Sequence, residues 1–169
     1  MAGCNVAAGD RLPAVGLVVD VPGVPVRRLE YLLLDVNGTL TDRGVLIPGV
    51  VERVPALREV LDVRLLTADT YGTLADVRAA LGGIEAQLVN DGQQKAAAVE
   101  RLGAAACAAI GNGVNDEPML RVVALGIAVL GPEGASPRAL LAADLVCPSI
   151  LVALDLLGDP RALAATLRR

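Results

Sequence analysis

Short apolar runs recur along this chain, and each gives way to a polar residue, a glycine or a proline before a helical pattern begins. Strands are predicted at Tyr31–Asp35, Val63–Thr67, "AQLVN", Ala106–Gly111, "LGIAVLG" and "LVC". Between them lie "PGVVERVPALREVLD", "GTLADVRAALGG", "GQQKAAAVERLGA", "EPMLRVVA" and "SPRALLAAD", each with apolar residues at helical spacing. "PSILVALDLLGDPRALAATLRR" closes the chain as one or two helices. This alternation predicts βαβ units: a three-layer, doubly wound α/β fold with a mostly parallel sheet. Two further β-rich runs flank "VPGVP" and predict a hairpin over Gly16–Arg28. Residues 1–15 read as a loose leader and 16–169 as a single α/β domain. Pro48 fits a first helical turn, whereas Pro55 inside that helix costs ~3 kcal/mol, so a start near Pro55 is an alternative.

Composition excludes several chemistries. The chain has no histidine, which removes Ser-His triads, histidine bases and histidine-ligated zinc. Cys4, Cys107 and Cys147 are far apart and lack metal spacing, so they read as thiols in a reducing cytoplasm. Two Tyr without Phe or Trp leave an aliphatic core, and no rings on which single-stranded bases would stack. A net charge of −4 argues against nucleic acid. No apolar run approaches the ~18 residues that span a bilayer, and no signal peptide is visible. The expectation is a cytoplasmic protein with no nucleic-acid or membrane partner.

In folds of this class ligands gather at the carboxyl ends of strands. Asp35, Thr67 and the loop Asn112–Asp116 each follow an apolar run, so one sheet edge brings them together. Phosphoryl transfer needs a nucleophile, neutralised phosphate charge and in-line positioning. Asp35 supplies a carboxylate able to form an aspartyl phosphate. Mg²⁺ and Lys95 are the cations that cancel the repulsion, and two or three protein oxygens suffice for Mg²⁺ because it keeps several waters. The Thr67 hydroxyl can donate to a phosphate oxygen. Gly38 permits close backbone approach, so neighbouring N–H groups can cradle an anion. Lys95 is the one lysine among 15 basic residues, the rest being arginine, as a site needing a compact ammonium requires. Plainer readings exist: Asp35 as a turn cap, Thr67 as a strand-end hydroxyl, Lys95 as a solvated charge. For Asn115 and Asp116, bracing a turn and serving a site stand level; Asp42 and Asp69 read as structural.

The order "DVNGTLTD", "LLTADT", "QQK", "GNGVNDEPML" resembles the four motifs of the haloacid dehalogenase superfamily. It is most similar to the phosphorylation domain of P-type ATPases and their stand-alone soluble relatives, matching at Asp35, Gly38, Thr39, Leu40 and Thr41. The resemblance runs from about Tyr31 to the C-terminus. It implies Asp35 as nucleophile, Thr67 and Lys95 as catalytic partners, and Gly38, Thr39, Thr67, Lys95 and Asn115 around the phosphate. It implies Mg²⁺ on Asp35, the main-chain carbonyl of Asn37, Asn112 and Asp116. Two positions depart from the pattern. Hydrolases of the superfamily carry aspartate where Asn37 stands, and an amide is no general acid or base at pH 7, a loss of ~10²–10⁴ in rate. Asn112 stands where the pattern has its main magnesium-ligating acid, which removes one negative charge.

The spans from Asp42 to Thr67 and from Thr67 to Lys95 leave no room for a cap domain, so the site is expected to be open. Capless relatives act on large substrates or close the site with a neighbouring subunit, so a homo-oligomer fits. The function implied is a slow Mg²⁺-dependent phosphohydrolase acting on a small phosphorylated substrate or a phosphorylated macromolecule. The alternative is a non-catalytic module that binds phosphate or nucleotide in the same pocket.

Overall fold

Leu32 and Leu34 face one side of their strand and Leu33 the other, and all three are fully buried. A strand buried on both faces belongs in the middle of a helix-covered sheet. The computed structural model describes residues 16–168, so the leader read over residues 1–15 lies outside the described residues. It opens with β1 (Leu17–Val19) and β2 (Arg27–Leu29), an antiparallel hairpin as expected. β3 (Tyr31–Leu34) follows, then a small hairpin of β4 (Thr41–Asp42) and β5 (Val45–Leu46). The rest alternates: α1 (Val50–Leu57), β6 (Asp62–Thr67), α2 (Leu74–Ala80), β7 (Glu85–Leu88), α3 (Gly92–Leu102), β8 (Cys107–Gly111), α4 (Glu117–Val122), β9 (Leu125–Val129), α5 (Pro137–Ala142), β10 (Leu145–Cys147), α6 (Ile150–Gly158) and α7 (Pro160–Leu167).

Six strands form one parallel sheet in the order β10-β9-β8-β3-β6-β7. From β3 the chain winds outward through β6 and β7, then crosses back and winds the other way through β8, β9 and β10. The strand order therefore reverses between β3 and β8, and the crevice at their carboxyl ends is where such sheets hold ligands. Val50, Val54 and Leu57 of α1, Val77 of α2, Leu154 of α6 and Leu163 of α7 cover one face. Ala98 and Val99 of α3, Met119 and Leu120 of α4, and Ala139 of α5 cover the other.

One local reading holds over its alternative and another changes. The helix after Pro48 forms over Val50–Leu57 with Pro55 inside it, rather than starting near Pro55. Pro55 falls in the closing turn, where Arg58 N–H donates to the carbonyls of Val54 and Pro55 (both 3.1 Å), and the buried stripe Val50, Val54, Leu57 outweighs the lost bond. The β4–β5 hairpin stands in a span read as one helix and one strand; its strands of two residues each are too short to show a period. No cap domain interrupts the sheet, in line with the expected open site.

Gly126 of β9 lies directly against α4: a Cβ there would sit 2.6 Å from the Leu120 carbonyl oxygen. Gly126→Ala is expected to cost about 1–3 kcal/mol through overpacking, read as a lower urea midpoint at unchanged slope.

Candidate active site

Each candidate side chain is delivered by the end of an element. Asp35 continues β3, its N–H donating to the Ile110 carbonyl of β8 at 3.0 Å, and its carboxylate points into the crevice. Lys95 lies one turn into α3, which is capped by Asp91, whose Oδ1 accepts from Gln94 N–H at 2.9 Å. Asp116 ends a 3₁₀ turn, Val114–Asp116, that folds back after β8. Close packing of α3 on that turn brings the two together: a Cβ at Gly92 would meet the Asn115 carbonyl at 2.7 Å.

Lys95 Nζ donates to Asp35 Oδ1 at 2.6 Å and to Asp116 Oδ1 at 2.7 Å, and all three side chains are buried. Asp116 Oδ2 accepts from the N–H groups of Asn112 (2.9 Å) and Gly113 (2.8 Å), fixing the turn. Two carboxylates around one ammonium leave the trio one negative charge in excess. Burial, reinforced by the charge of Asp116, pushes the Asp35 carboxyl up to about 6, with Lys95 and the Thr39 hydroxyl offsetting part of the rise. For Lys95, burial favours the neutral amine, but the two carboxylates outweigh it and hold the ammonium above its ordinary value.

Thr39 Oγ1 lies 2.9 Å from Asp35 Oδ2 and 3.1 Å from Asn112 Oδ1. A hydroxyl has one proton, and the charged acceptor takes it. Asn112 Oδ1 therefore keeps acceptor capacity, while its Nδ2 donates to the Gly134 carbonyl at 2.8 Å. Thr67 is fully buried just behind the pocket; its Oγ1 accepts from Asp69 N–H at 3.0 Å, which leaves its own proton to donate. Asn37 Nδ2 reaches Thr67 Oγ1 only at 3.5 Å, and Asn37 Oδ1 is buried without a hydrogen-bond partner.

The pocket has a volume of about 200 Å³, and its wall includes Asp35, Asn37, Lys95, Asn112, Asn115 and Asp116. Asn115 is exposed on that wall. The four amides from Gly38 to Thr41, part of the anion cradle expected here, are engaged within their own turn. The N–H of Gly38 donates to Thr41 O (3.0 Å), and those of Thr39, Leu40 and Thr41 to Val36 O (3.3, 2.9 and 3.0 Å). Gly38 is needed for another reason: its φ is +75°, and a Cβ would lie 2.6 Å from Asn112 Nδ2 and 3.2 Å from Glu133 Cβ. Sequence reading passed over Glu133, in the loop after β9. Its carboxylate accepts from Arg43 N–H (2.8 Å) and Tyr71 Oη (3.4 Å), tying the small hairpin to the loop after β6. Nothing in "GPEGASP" signals that role, because its partners are distant in sequence.

Asp35, the Asn37 carbonyl and Asn112 Oδ1 are hard oxygen donors of the kind magnesium takes, and one or two carboxylates suffice for an ion that keeps its waters. The excess negative charge of the trio suits a cation. Asp116 has one oxygen on Lys95 and the other on two backbone amides, so both are already engaged at the place read as a magnesium ligand. Among the described residues no group of three or more His, Cys, Asp or Glu forms a self-sufficient metal cage.

Among curated proteins, an uncharacterized protein of Methanocaldococcus jannaschii is 50% identical over 60 residues, which is 36% of this chain and 64% of that protein. The match thus spans less than two thirds of that relative's length. The cobalt-bound deoxy-D-mannose-octulosonate 8-phosphate phosphatase of Haemophilus influenzae superposes with a TM-score of 0.65 at 17% identity, covering 83% of this chain and 94% of that one. The corresponding phosphatase of Moraxella catarrhalis, solved with magnesium, phosphate and KDO, gives 0.59 at 16% identity with the same coverage, 83% and 94%. The catalytic domain of the CPx-ATPase CopB-B gives 0.54 at 21% identity, over 71% of this chain and 47% of that one. These likenesses establish the fold, and they include both phosphatases and the catalytic domain of a CPx-ATPase. Residues 27–123 match the haloacid dehalogenase-like hydrolase family itself, and the chain belongs to that family.

Proposed function

We propose that this protein is a magnesium-dependent phosphohydrolase in which Asp35 forms an aspartyl phosphate, and that Asn37 makes its turnover slow. The observation that carries this reading is the buried trio. A carboxylate at the topological switch point is held by an ammonium at 2.6 Å and a hydroxyl at 2.9 Å, beside a cavity of about 200 Å³. The phosphatase of Moraxella catarrhalis, whose fold is shared, was solved with magnesium and phosphate, which supports the same metal here.

Asp35 attacks phosphorus, forming an O–P bond as the P–O bond to the leaving group breaks. Lys95 balances the charge of the incoming phosphoryl group, and Asp116 holds Lys95 in place. The free proton of Thr67 is available to a phosphoryl oxygen, and Asn115 stands on the outer wall. Asp35, the Asn37 carbonyl and Asn112 Oδ1 would hold magnesium, which would supply neutralisation of phosphate charge. Asn37 occupies the place from which a leaving group would be protonated, and its amide cannot do this. Water must protonate the leaving group, and the phosphoenzyme is left without a base to activate its hydrolysis. The absence of a cap favours a small phosphorylated substrate entering directly, or a larger one presenting its phosphate at the rim.

Asp35→Asn is expected to abolish both turnover of p-nitrophenyl phosphate and labelling by acetyl phosphate; equal activity in the two proteins ends the reading. Asn37→Asp is expected to raise turnover by about 10²-fold or more while leaving KM nearly unchanged, because it restores acid–base help and not binding. Lys95→Met leaves two buried carboxylates without a counter-charge. It should lose labelling and about 3–5 kcal/mol of stability in urea titration. The rival module that binds phosphate without chemistry predicts ligand-dependent thermal stabilisation and no labelling of Asp35.

A further inference from the structure

Asn37 and Asn112 share a neighbour: each is followed by glycine, in "NGT" and "NGV". The other asparagines, Asn5, Asn90 and Asn115, precede Val, Asp and Asp. Glycine carries no Cβ to shield its amide nitrogen, so an Asn-Gly pair is where an asparagine side chain is most open to attack by the backbone. At position 38 glycine is obligatory, because a Cβ there would run into Asn112 Nδ2 and Glu133 Cβ. Any asparagine at 37 is therefore bound to that pairing.

We propose that Asn37, and not Asn112, is a site of spontaneous deamidation that places a further carboxylate in the Asp35 pocket. The Gly38 amide nitrogen gives up its proton to water or hydroxide and attacks Cγ of Asn37. The new N–C bond closes a five-membered succinimide, and the Cγ–Nδ2 bond breaks with loss of ammonia. Water then adds at Cγ, the ring N–Cγ bond breaks, and Gly38 regains its N–H beside an aspartate at 37. The net change is amide plus water to acid plus ammonia, with no oxidant or reductant.

The two sites differ in how tightly the side-chain amide is held. Asn37 is partly exposed on the wall of a water-accessible pocket; its one contact is the long 3.5 Å approach to Thr67, and its Oδ1 has no partner. Asn112 is buried, its Nδ2 on the Gly134 carbonyl at 2.8 Å and its Oδ1 beside Thr39 at 3.1 Å. Its backbone is pinned as well, its N–H donating to Asp116 Oδ2 and its carbonyl accepting from Ser136 N–H (2.8 Å). The attacking nitrogens are matched, since Gly38 N–H donates to Thr41 O at 3.0 Å and Gly113 N–H to Asp116 Oδ2 at 2.8 Å. Both must open, so the difference in rate comes from the side-chain amide. The unpartnered Oδ1 also gives Asn37 less to lose on conversion.

The consequence for turnover rests on the hydrolase reading above; the modification itself does not. The full chain is incubated in warm, mildly alkaline buffer, folded and in urea, and digested. The peptides holding Asn37 and Asn112 are then followed by mass spectrometry, with fragmentation to separate aspartate from isoaspartate. In the folded protein the Asn37 peptide is expected to gain the mass of an amide turned acid at least about tenfold faster than the Asn112 peptide, as the additional hydrogen bonds at Asn112 dictate. In urea both convert. The proposal is overturned if Asn37 stays intact in the folded protein while the unfolded chain converts. Equal rates at the two sites in the folded protein, or isoaspartate as the sole product at 37, also overturn it. If aspartate forms at 37 and the purified Asn37→Asp variant gains no turnover, the modification stands and the hydrolase reading is what fails.

Discussion

One buried ammonium joins the three segments that make this site. Lys95 reaches from the first turn of α3 to a carboxylate at the end of β3 and to another in the turn after β8. Such an arrangement is not explained by stability. Removing one cation and two anions from water costs several kcal/mol per ion, and well-packed apolar residues of similar volume commonly do as well. The surrounding core is aliphatic and would accept them. Under the proposed function, a further cation and a phosphoryl group complete the balance of this negatively charged trio. Among the described residues, Arg53 with Asp155, Arg64 with Asp62 and Glu85, and Arg138 with Glu117 pair nearer the surface, where such pairs contribute little.

The two departures from the family pattern have different structural meanings. Asn112 uses its amide as an amide: a carboxylate in its place has no N–H to give the Gly134 carbonyl, so the loop after β9 would lose a tie to the site. That loop also carries Glu133, and Gly131 within it packs directly on the Gly38 carbonyl, leaving no space for a Cβ. Asn37 is the opposite case. Its side chain makes one long hydrogen bond and leaves an oxygen buried without a partner. One substitution is integrated into packing and the other sits loosely in the pocket. Similarity to a motif alone does not separate them.

Much of the fold was legible because its helices repeat at helical spacing and its buried strands are continuous apolar runs. The parallel strands Tyr31–Leu34 and Cys107–Gly111 read as unbroken apolar runs, since helices cover both of their faces. The β4–β5 hairpin was not legible, because two residues per strand carry no period. The helix holding Pro55 was read with two starts, because the penalty is local and the apolar stripe that overrides it is tertiary. In the candidate site, motif order singled out Asp35, Lys95 and Asp116, and the structure brings the three into contact. The use of the Gly38-to-Thr41 amides within their own turn was not legible, because a glycine-containing turn and an anion cradle share the same residue types.

By itself the sequence determined which groups arrive at the sheet's edge, since a carboxylate after β3 and a lysine one turn into α3 are placed by local periodicity and by the order of the strands. Only the tertiary structure decided how those groups are spent. Whether an oxygen is free, shared or orphaned depends on atoms dozens of residues away in the chain: Thr39 against Asn112, Asn112 against Gly134, Glu133 against Arg43 and Tyr71. Hydrogen bonds act over about 3 Å and are indifferent to sequence separation, so their assignment is fixed when the elements pack and not before.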